Sequence, residues 1–191
     1  MPGALTDAVV DQARSGNAAA FTTIYHSLSP AVLGYLRAKG LEDSEAVTND
    51  VFLAALPRLA SFTGGASELR RFIFTIAHSH MVDDVRRRAR QGPTEQYEAA
   101  HDSRVSESAE DEALRSLTDV QLNNVLNLLA ADHKEVLLLR LIADLSVAEV
   151  AAVMGKSQGS IKQLQRRGIL ALRKLLNDSE GRELWNVQMT L

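Results

Sequence analysis

The stretch from Leu145 to Leu176 constrains this chain most strongly, because its pattern predicts two helices joined by a tight turn. Ser146 and Glu149 have the spacing of a capping box, in which two side chains satisfy backbone N–H groups at a helix start. Apolar residues then recur at helical spacing and form one face. Gly155 follows where the first helix must end, and glycine tolerates the left-handed backbone typical of a helix C-cap.

The second helix of this pair is basic and carries no acidic residue between Lys156 and Lys174. Ser157 or Ser160 is suited to cap its first turn. Short polar residues near the start of such a helix can reach base edges in the major groove, while lysine and arginine hold phosphates. The pattern therefore indicates a DNA-binding helix-turn-helix. The alternative is an amphipathic helical pair with a solvated basic face.

Composition excludes several kinds of site. The chain has no cysteine, so disulfides and thiolate metal sites are excluded. His78 and His80 are two residues apart, which places them on different faces of a helix, and we expect neither a metal nor another cofactor. No apolar run approaches a membrane span, and the N-terminus lacks the basic start and apolar core of a signal peptide. We therefore expect a cytoplasmic protein without membrane insertion.

The net charge of −3 conceals an uneven distribution. One basic cluster spans residues 86–90, and another occupies the second helix of the pair. The segment from 92 to 113, which lies between them, is acidic, and Arg104 is its only arginine or lysine. Its acidic residues are Glu95, Glu98, Asp102, Glu107, Glu110, Asp111 and Glu112. Such a segment opposes attraction to phosphates, so we expect the isolated chain to bind DNA weakly.

Every periodic segment has the helical period, which predicts an all-α protein. We expect two small helical domains joined by a flexible acidic linker, the second containing the helix-turn-helix. The expected boundaries are residues 1–91 for the first domain, 92–112 for the linker, 113–178 for the second domain and 179–191 for a C-terminal tail. Within the first domain, Ser29 and Pro30 predict the start of a new helix.

A second candidate for nucleic-acid binding is the long helix predicted from about Glu68 to Arg90. It follows a glycine-containing loop with Phe62, and aromatic side chains beside basic groups can hold single strands by stacking and phosphate attraction. Phe72 and Ile76 lie at helical spacing and are better suited to a core. The arginines at the helix end either contact phosphates or are solvated, where they also suit the helix dipole.

Three stretches resemble the bacterial RNA polymerase sigma factors of the extracytoplasmic-function (ECF) group. They are DSEAVTNDVFLAAL at 43–56, LRRFIFTIAHSHMVDDVRRR at 69–88, and the segment from LAADHKEVLLLR through GKSQGSIKQLQRRGILALRKLL at 129–176. The similarity covers most of residues 18–90 and 122–176, and its last segment is the most specific. Thr75 and His78 stand where the family typically has arginine.

The resemblance implies an initiation factor that binds core RNA polymerase and promoter DNA, as a single strand at the −10 element and as a duplex at the −35 element. It implies polymerase-binding residues Asp43, Glu45, Asn49 and Asp50. It implies −10 contacts by Phe62, Arg70, Arg71, Ser79, Asp83, Arg86 and Arg87. It implies −35 contacts by Ser157, Gln158, Ser160, Lys162, Gln163, Arg166 and Arg167. An anti-sigma factor is a further partner common in this family.

Two other classes of function remain as alternatives. A stand-alone helix-turn-helix regulator with an N-terminal dimerisation or sensing domain would bind a pseudo-palindromic site tightly by itself. An enzyme using His78, His80, Asp83 and Asp84 is the other, but the sequence offers no nucleophile–base pair, metal-ligand spacing or phosphate-binding glycine loop. We therefore expect a protein without catalysis of its own.

Overall fold

The computed structural model describes residues 4–91 and 123–177, and the predicted linker (92–112) and tail (179–191) lie outside them. The helices are α1 (Asp7–Arg14), α2 (Ala18–Ala38), α3 (Ser44–Leu59), α4 (Ala66–Gln91), α5 (Ala131–Leu141), α6 (Val147–Met154) and α7 (Gln158–Asn177). A further helical segment at 123–127 precedes α5. The described residues contain no strand, which confirms the all-α prediction for this part of the chain.

Local capping fixes the starts of the first helices. The Thr6 hydroxyl accepts a hydrogen bond from the Val9 N–H at the start of α1. The Asn17 side chain accepts from the N–H groups of Ala19 and Ala20 at the start of α2. These side chains satisfy donors that the first helical turn leaves without partners.

The expectation that Ser29 and Pro30 start a new helix is wrong. A single helix, α2, runs through Pro30 without interruption. Leu28 and Val32 on either side of the proline are fully buried, so packing keeps both halves helical. Pro30 itself is exposed, and the carbonyl that loses its helical partner belongs to His26, also on the exposed side, where water can bond to it.

The helix-turn-helix prediction is confirmed in its details. The Ser146 hydroxyl accepts from the Glu149 N–H at 3.2 Å, and the Glu149 carboxylate accepts from the Ser146 N–H at 2.7 Å, which completes the capping box. Gly155 ends α6 with a left-handed φ of 63°. Of the two serines that could cap α7, Ser157 does so, since its hydroxyl accepts from the Ser160 N–H.

The buried apolar side chains form one continuous cluster that runs through both groups of helices, α1–α4 and α5–α7. Leu28, Tyr35 and Phe74 are fully buried in the first group, and Leu139 and Ile161 in the second. Helix α4 packs on α6, and α2 contacts α5. None of the described helices is long and apolar enough to cross a membrane.

Helix α7 approaches α5 closely at Gly168, where even a Cβ would be tightly packed. A Cβ built there would lie 3.3 Å from His133 Cβ and from Leu137 Cγ. We predict that Gly168→Leu lowers the free energy of unfolding by about 1–3 kcal/mol, because it overpacks the contact that sets the angle of α7. Urea denaturation followed by circular dichroism measures the change.

Gly159 on the same helix provides the matched control. It is exposed, and its nearest neighbour to a built Cβ is the Ser157 hydroxyl at 3.9 Å. Gly159→Leu should leave stability unchanged or raise it by up to about 1 kcal/mol, since glycine disfavours helices. Equal effects at the two positions would contradict the close approach at Gly168.

Candidate nucleic-acid interface

The N-terminal half of α7 presents an exposed, acid-free surface. All seven side chains expected to contact the −35 element are exposed there: Ser157, Gln158, Ser160, Lys162, Gln163, Arg166 and Arg167. Ile161 and Gly168 face inward and are buried. Polar and basic groups thus share the exposed side of α7, while its opposite side packs on the core. Recognition helices that enter a major groove have this arrangement.

Two interactions position this helix against its neighbours. The Lys156 ammonium lies 3.1 Å from the Asp132 carboxylate at the start of α5. The Ser157 hydroxyl is engaged as the helix cap, so its first role is structural. Lys156 and Ser157 therefore fix the entry into α7, while the residues from Gln158 onward present their side chains to solvent.

The residues expected at the −10 element fall into two groups. Ser79, Asp83 and Arg86 are spaced by four and three residues, are exposed, and share the outward face of α4. Arg70 and Arg71 are half-buried on the side of α4 that meets the second group of helices. The Arg70 guanidinium donates to the Ala143 carbonyl at 3.4 Å, and Arg71 lies close enough to Glu149 to lower the pKa of that carboxyl.

Arg87, also expected at the −10 element, pairs with the Asp84 carboxylate one turn earlier on α4. Phe62 lies in the loop between α3 and α4 and is half-buried. Its ring centroid is 5.5 Å from that of Phe72 in a tilted contact. Phe62 therefore rests on α4 and retains partial exposure, so stacking on a base needs no rearrangement of the core.

The four residues expected to bind polymerase, Asp43, Glu45, Asn49 and Asp50, are all exposed at or near the start of α3. Sequence reasoning missed the apolar part of the same helix. Leu53 is 64% exposed and Leu56 is 39% exposed. Leu56 lines an apolar groove with Phe21, Tyr25 and Phe52. Their exposure could not be read from the sequence, because leucine at helical spacing is usually core.

A buried carboxylate joins the two groups of helices. Glu135 of α5 reaches into the first group with a side chain only 5% exposed. The Tyr35 hydroxyl donates to its Oε1 at 2.7 Å, and His78 Nδ1 lies 2.9 Å from the same oxygen. The Lys39 ammonium lies 2.7 Å from its Oε2. Three side chains of α2, its C-cap and α4 therefore surround one acid from the other side of the interface.

The surroundings keep Glu135 ionised. Burial by itself raises the pKa of the carboxyl, but the His78 hydrogen bond and the Lys39 ammonium outweigh burial and lower it to about 2. Burial and the neighbouring carboxylate raise the pKa of the Tyr35 phenol well above its usual value, so Tyr35 remains a hydrogen-bond donor. The contact therefore exists in its charged form throughout the neutral range.

A second contact joins the groups at the start of α4. The Ser67 hydroxyl donates to Glu149 Oε1 at 2.6 Å. Partial burial raises the pKa of Glu149, but hydrogen bonds from Ser67 and Ser146 bring the net pKa below its usual value. Helix α6 thus lies against the first turns of α4, where the arginines at 70 and 71 are half-buried.

Comparisons with known proteins agree with this geometry. The family model of sigma-70 region 4 matches residues 125–174, which span the helix-turn-helix. The ECF RNA polymerase sigma factor BldN of Streptomyces coelicolor is 34% identical over 172 residues, 89% of this chain and 65% of that protein. This chain thus spans 65% of the length of that relative.

Two further similarities extend beyond the helix-turn-helix. The ECF sigma factor SigD of Mycobacterium tuberculosis H37Rv is 27% identical over 181 residues, 91% of this chain and 84% of that protein. The sigma factor RpoE of Bartonella quintana, solved with the anti-sigma factor NepR, shares the fold. Its TM-score is 0.63 at 23% identity, over 83% of this chain and 98% of that chain.

The chain thus combines a helix-turn-helix of sigma-70 region 4 type with a four-helix group that has its own basic helix. Its similarity to ECF RNA polymerase sigma factors extends over both groups of helices.

We predict that Glu135→Gln weakens the contact between the two groups, because it removes the charge and leaves Lys39 without its ion partner. Breaking a buried pair costs about 3–5 kcal/mol when the remaining charge stays buried. Separation of the groups would let water reach Lys39, so the change should appear first as faster hydrogen exchange in α5 and α6. Exchange mass spectrometry measures this directly.

Glu45→Gln provides the control, since Glu45 forms an exposed ion pair with Arg37 at 2.7 Å. Exposed pairs contribute little, so this variant should exchange like the parent protein.

Because the folded pKa of Glu135 lies below its usual 4.5, its stabilisation is present above pH 4.5 and is lost as the pH falls towards 2. Glu135→Gln should lack this acid dependence, and an identical acid response in both proteins would contradict the assignment.

Proposed function

We propose that this chain binds core RNA polymerase and directs promoter-specific transcription initiation, with no catalysis of its own. The observation that carries the proposal is the exposed, acid-free start of α7 within a capped helix-turn-helix of sigma-70 region 4 type. The proposed partners are core polymerase, duplex DNA at the −35 element and single-stranded DNA at the −10 element. The proposed place of action is the cytoplasm, where promoters and polymerase meet.

The −35 element is read by α7 in the major groove. Gln158, Gln163 and Arg166 offer donors and acceptors to base edges, because glutamine and arginine form paired hydrogen bonds with adenine and guanine. Ser160, Lys162 and Arg167 complete the surface and hold the flanking phosphates. Ser157 contributes chiefly by capping the helix whose N–H groups face the DNA.

The −10 element is read by the loop at 61–65 with the outward face of α4. Phe62 offers a stacking surface, and Ser79, Asp83, Arg86 and Arg87 lie along the exposed side of the helix. Arg70 and Arg71 join this surface only when the second group of helices moves away. The proposed domain boundaries of 1–91 and 113–178 separate these two reading surfaces.

Core polymerase binds the exposed side of α3. Asp43, Glu45, Asn49 and Asp50 provide its polar part, and Leu53 adds a 64% exposed apolar side chain. A polar rim around an apolar centre is the usual composition of a protein interface. This surface lies outside the contact between the two groups of helices, so polymerase can bind before they separate.

Simultaneous reading of both elements requires the two groups of helices to separate. Elements centred near −10 and −35 are about 25 base pairs apart, which is on the order of 85 Å along the duplex. A compact chain of this length is only roughly 40 Å across. The Glu135 contact must therefore open on the promoter, and the residues at 92–112 form the acidic linker between the two parts.

An anti-sigma factor is the remaining proposed partner. RpoE of Bartonella quintana was solved with the anti-sigma factor NepR, and the fold is shared. The runner-up function, a stand-alone regulator, is less well supported, because the similarity to ECF sigma factors extends over 89% of the chain and includes the first group of helices.

Run-off transcription with core polymerase and a pool of genomic promoter fragments tests the proposal. Addition of this chain should produce new transcripts whose upstream sequences share two elements. Absence of transcripts and of binding to core polymerase, together with tight DNA binding by the chain alone, would favour the stand-alone regulator.

We predict that Arg166→Ala reduces transcription from these promoters about tenfold, since a paired contact to a base contributes about 1–3 kcal/mol. The loss should disappear on templates with a scrambled −35 element. Arg173→Ala, an exposed arginine two turns further along α7, is the control and should affect transcription little. An equal loss on scrambled templates would make Arg166 a phosphate contact.

A further inference from the structure

Helix α1 forms hydrogen bonds with the loop that precedes α4 and with the first residue of α4, although these segments are distant in sequence. The Arg14 guanidinium donates to the Gly64 carbonyl at 2.6 Å, across 50 residues. The Asp7 carboxylate accepts from the Ala66 N–H at 2.7 Å, across 59 residues. Both bonds end on the backbone of the loop or on the first residue of α4, so they fix the path of the chain.

The glycines of the loop allow these hydrogen bonds to form. A Cβ at Gly65 would lie 2.4 Å from Asp7 Oδ1, so only glycine allows the carboxylate to reach the backbone. Gly64 has a left-handed φ of 148°, which other residues rarely adopt. The Gly65 N–H donates to Glu68 Oε2 at 3.0 Å, so the first turn of α4 completes the arrangement.

The same loop carries Phe62. A Cβ at Gly64 would lie 3.2 Å from Phe62 Cζ, and the ring is supported from beneath by Phe72. Loss of either bond from α1 would therefore free the backbone on which this ring depends. A loop that is ordered before it meets DNA avoids the entropy loss of ordering during binding.

We propose that Asp7 and Arg14 are positioning residues for binding of the −10 strand. Through them, α1 holds the loop at 61–65 in the conformation that binds DNA. This inference rests on the proposed function, because that function gives the loop its role. Neither residue needs to touch DNA. Each acts through the backbone at 64–66 and, through it, on Phe62.

The test uses holoenzyme assembled from core polymerase and the full chain, with a fluorescent single-stranded oligonucleotide carrying the −10 sequence of a promoter found by run-off transcription. A second oligonucleotide carries the scrambled sequence. The variants are Asp7→Ala and Arg14→Ala. Gln12→Ala is the control, because Gln12 is exposed on the same helix.

We expect each variant to lower affinity for the −10 oligonucleotide about tenfold, the equivalent of fixing roughly one residue of backbone. Discrimination between the two oligonucleotides should fall as well, while affinity for core polymerase stays unchanged. Asp7→Asn should restore most of the binding, because its amide oxygen can still accept from the Ala66 N–H. Gln12→Ala should bind like the parent chain.

Each contrary outcome has a distinct meaning. Unchanged discrimination in both alanine variants would overturn the positioning role. A parallel loss of core binding and of the urea midpoint, without rescue by Asp7→Asn, would reduce Asp7 and Arg14 to general stability. If the parent holoenzyme itself did not discriminate between the oligonucleotides, the proposed function of the loop would fail instead.

Discussion

The described arrangement depends on one buried charge. Glu135 leaves the second group of helices and ends among Tyr35, Lys39 and His78 of the first. A buried carboxylate is tolerated only where hydrogen bonds and an opposite charge replace its water, and all three partners supply this. The contact is specific for one orientation, since a displacement of either group would leave the carboxylate and the ammonium buried and unpaired.

The proposed function requires this contact to open on the promoter. A buried ion pair weakens when water enters, because its Coulomb attraction falls as the local dielectric constant rises. Two further polar contacts join the groups, between Ser67 and Glu149 and between Arg70 and Ala143. Separation exposes these polar and charged groups together with apolar side chains of the cluster that runs through both groups. It also returns the arginines at 70 and 71 to the surface proposed to read DNA.

Local features of the sequence were sufficient to predict the helix-turn-helix. The capping box at Ser146 and Glu149 and the C-cap at Gly155 act within a few residues, and both are present as expected. The helix restart at Pro30 was a wrong prediction for the opposite reason. Buried neighbours at 28 and 32 belong to tertiary packing, which overrides the local preference of proline.

The contacts that organise the sites could not be predicted from local pattern. Tyr35 and Glu135 are 100 residues apart, and Asp7 and Ala66 are 59 apart. His78 was the one indirect sign of an unusual contact, since it stands where the ECF sigma factors that the chain resembles typically have arginine. In the structure its ring contacts Glu135, and no spacing in the sequence predicts that pair. The exposure of Leu53 was missed because it depends on which residues become its neighbours in the folded chain.

The most direct measurement is the distance between the two groups of helices with and without polymerase and promoter. The chain has no cysteine, so Gln12→Cys and Lys174→Cys can carry a pair of spin labels at exposed positions, one in each group. Pulsed electron resonance should give one short distance for the free chain and one longer by tens of ångströms on the promoter complex, as the separation of the elements requires. The same distance in both states would contradict the account.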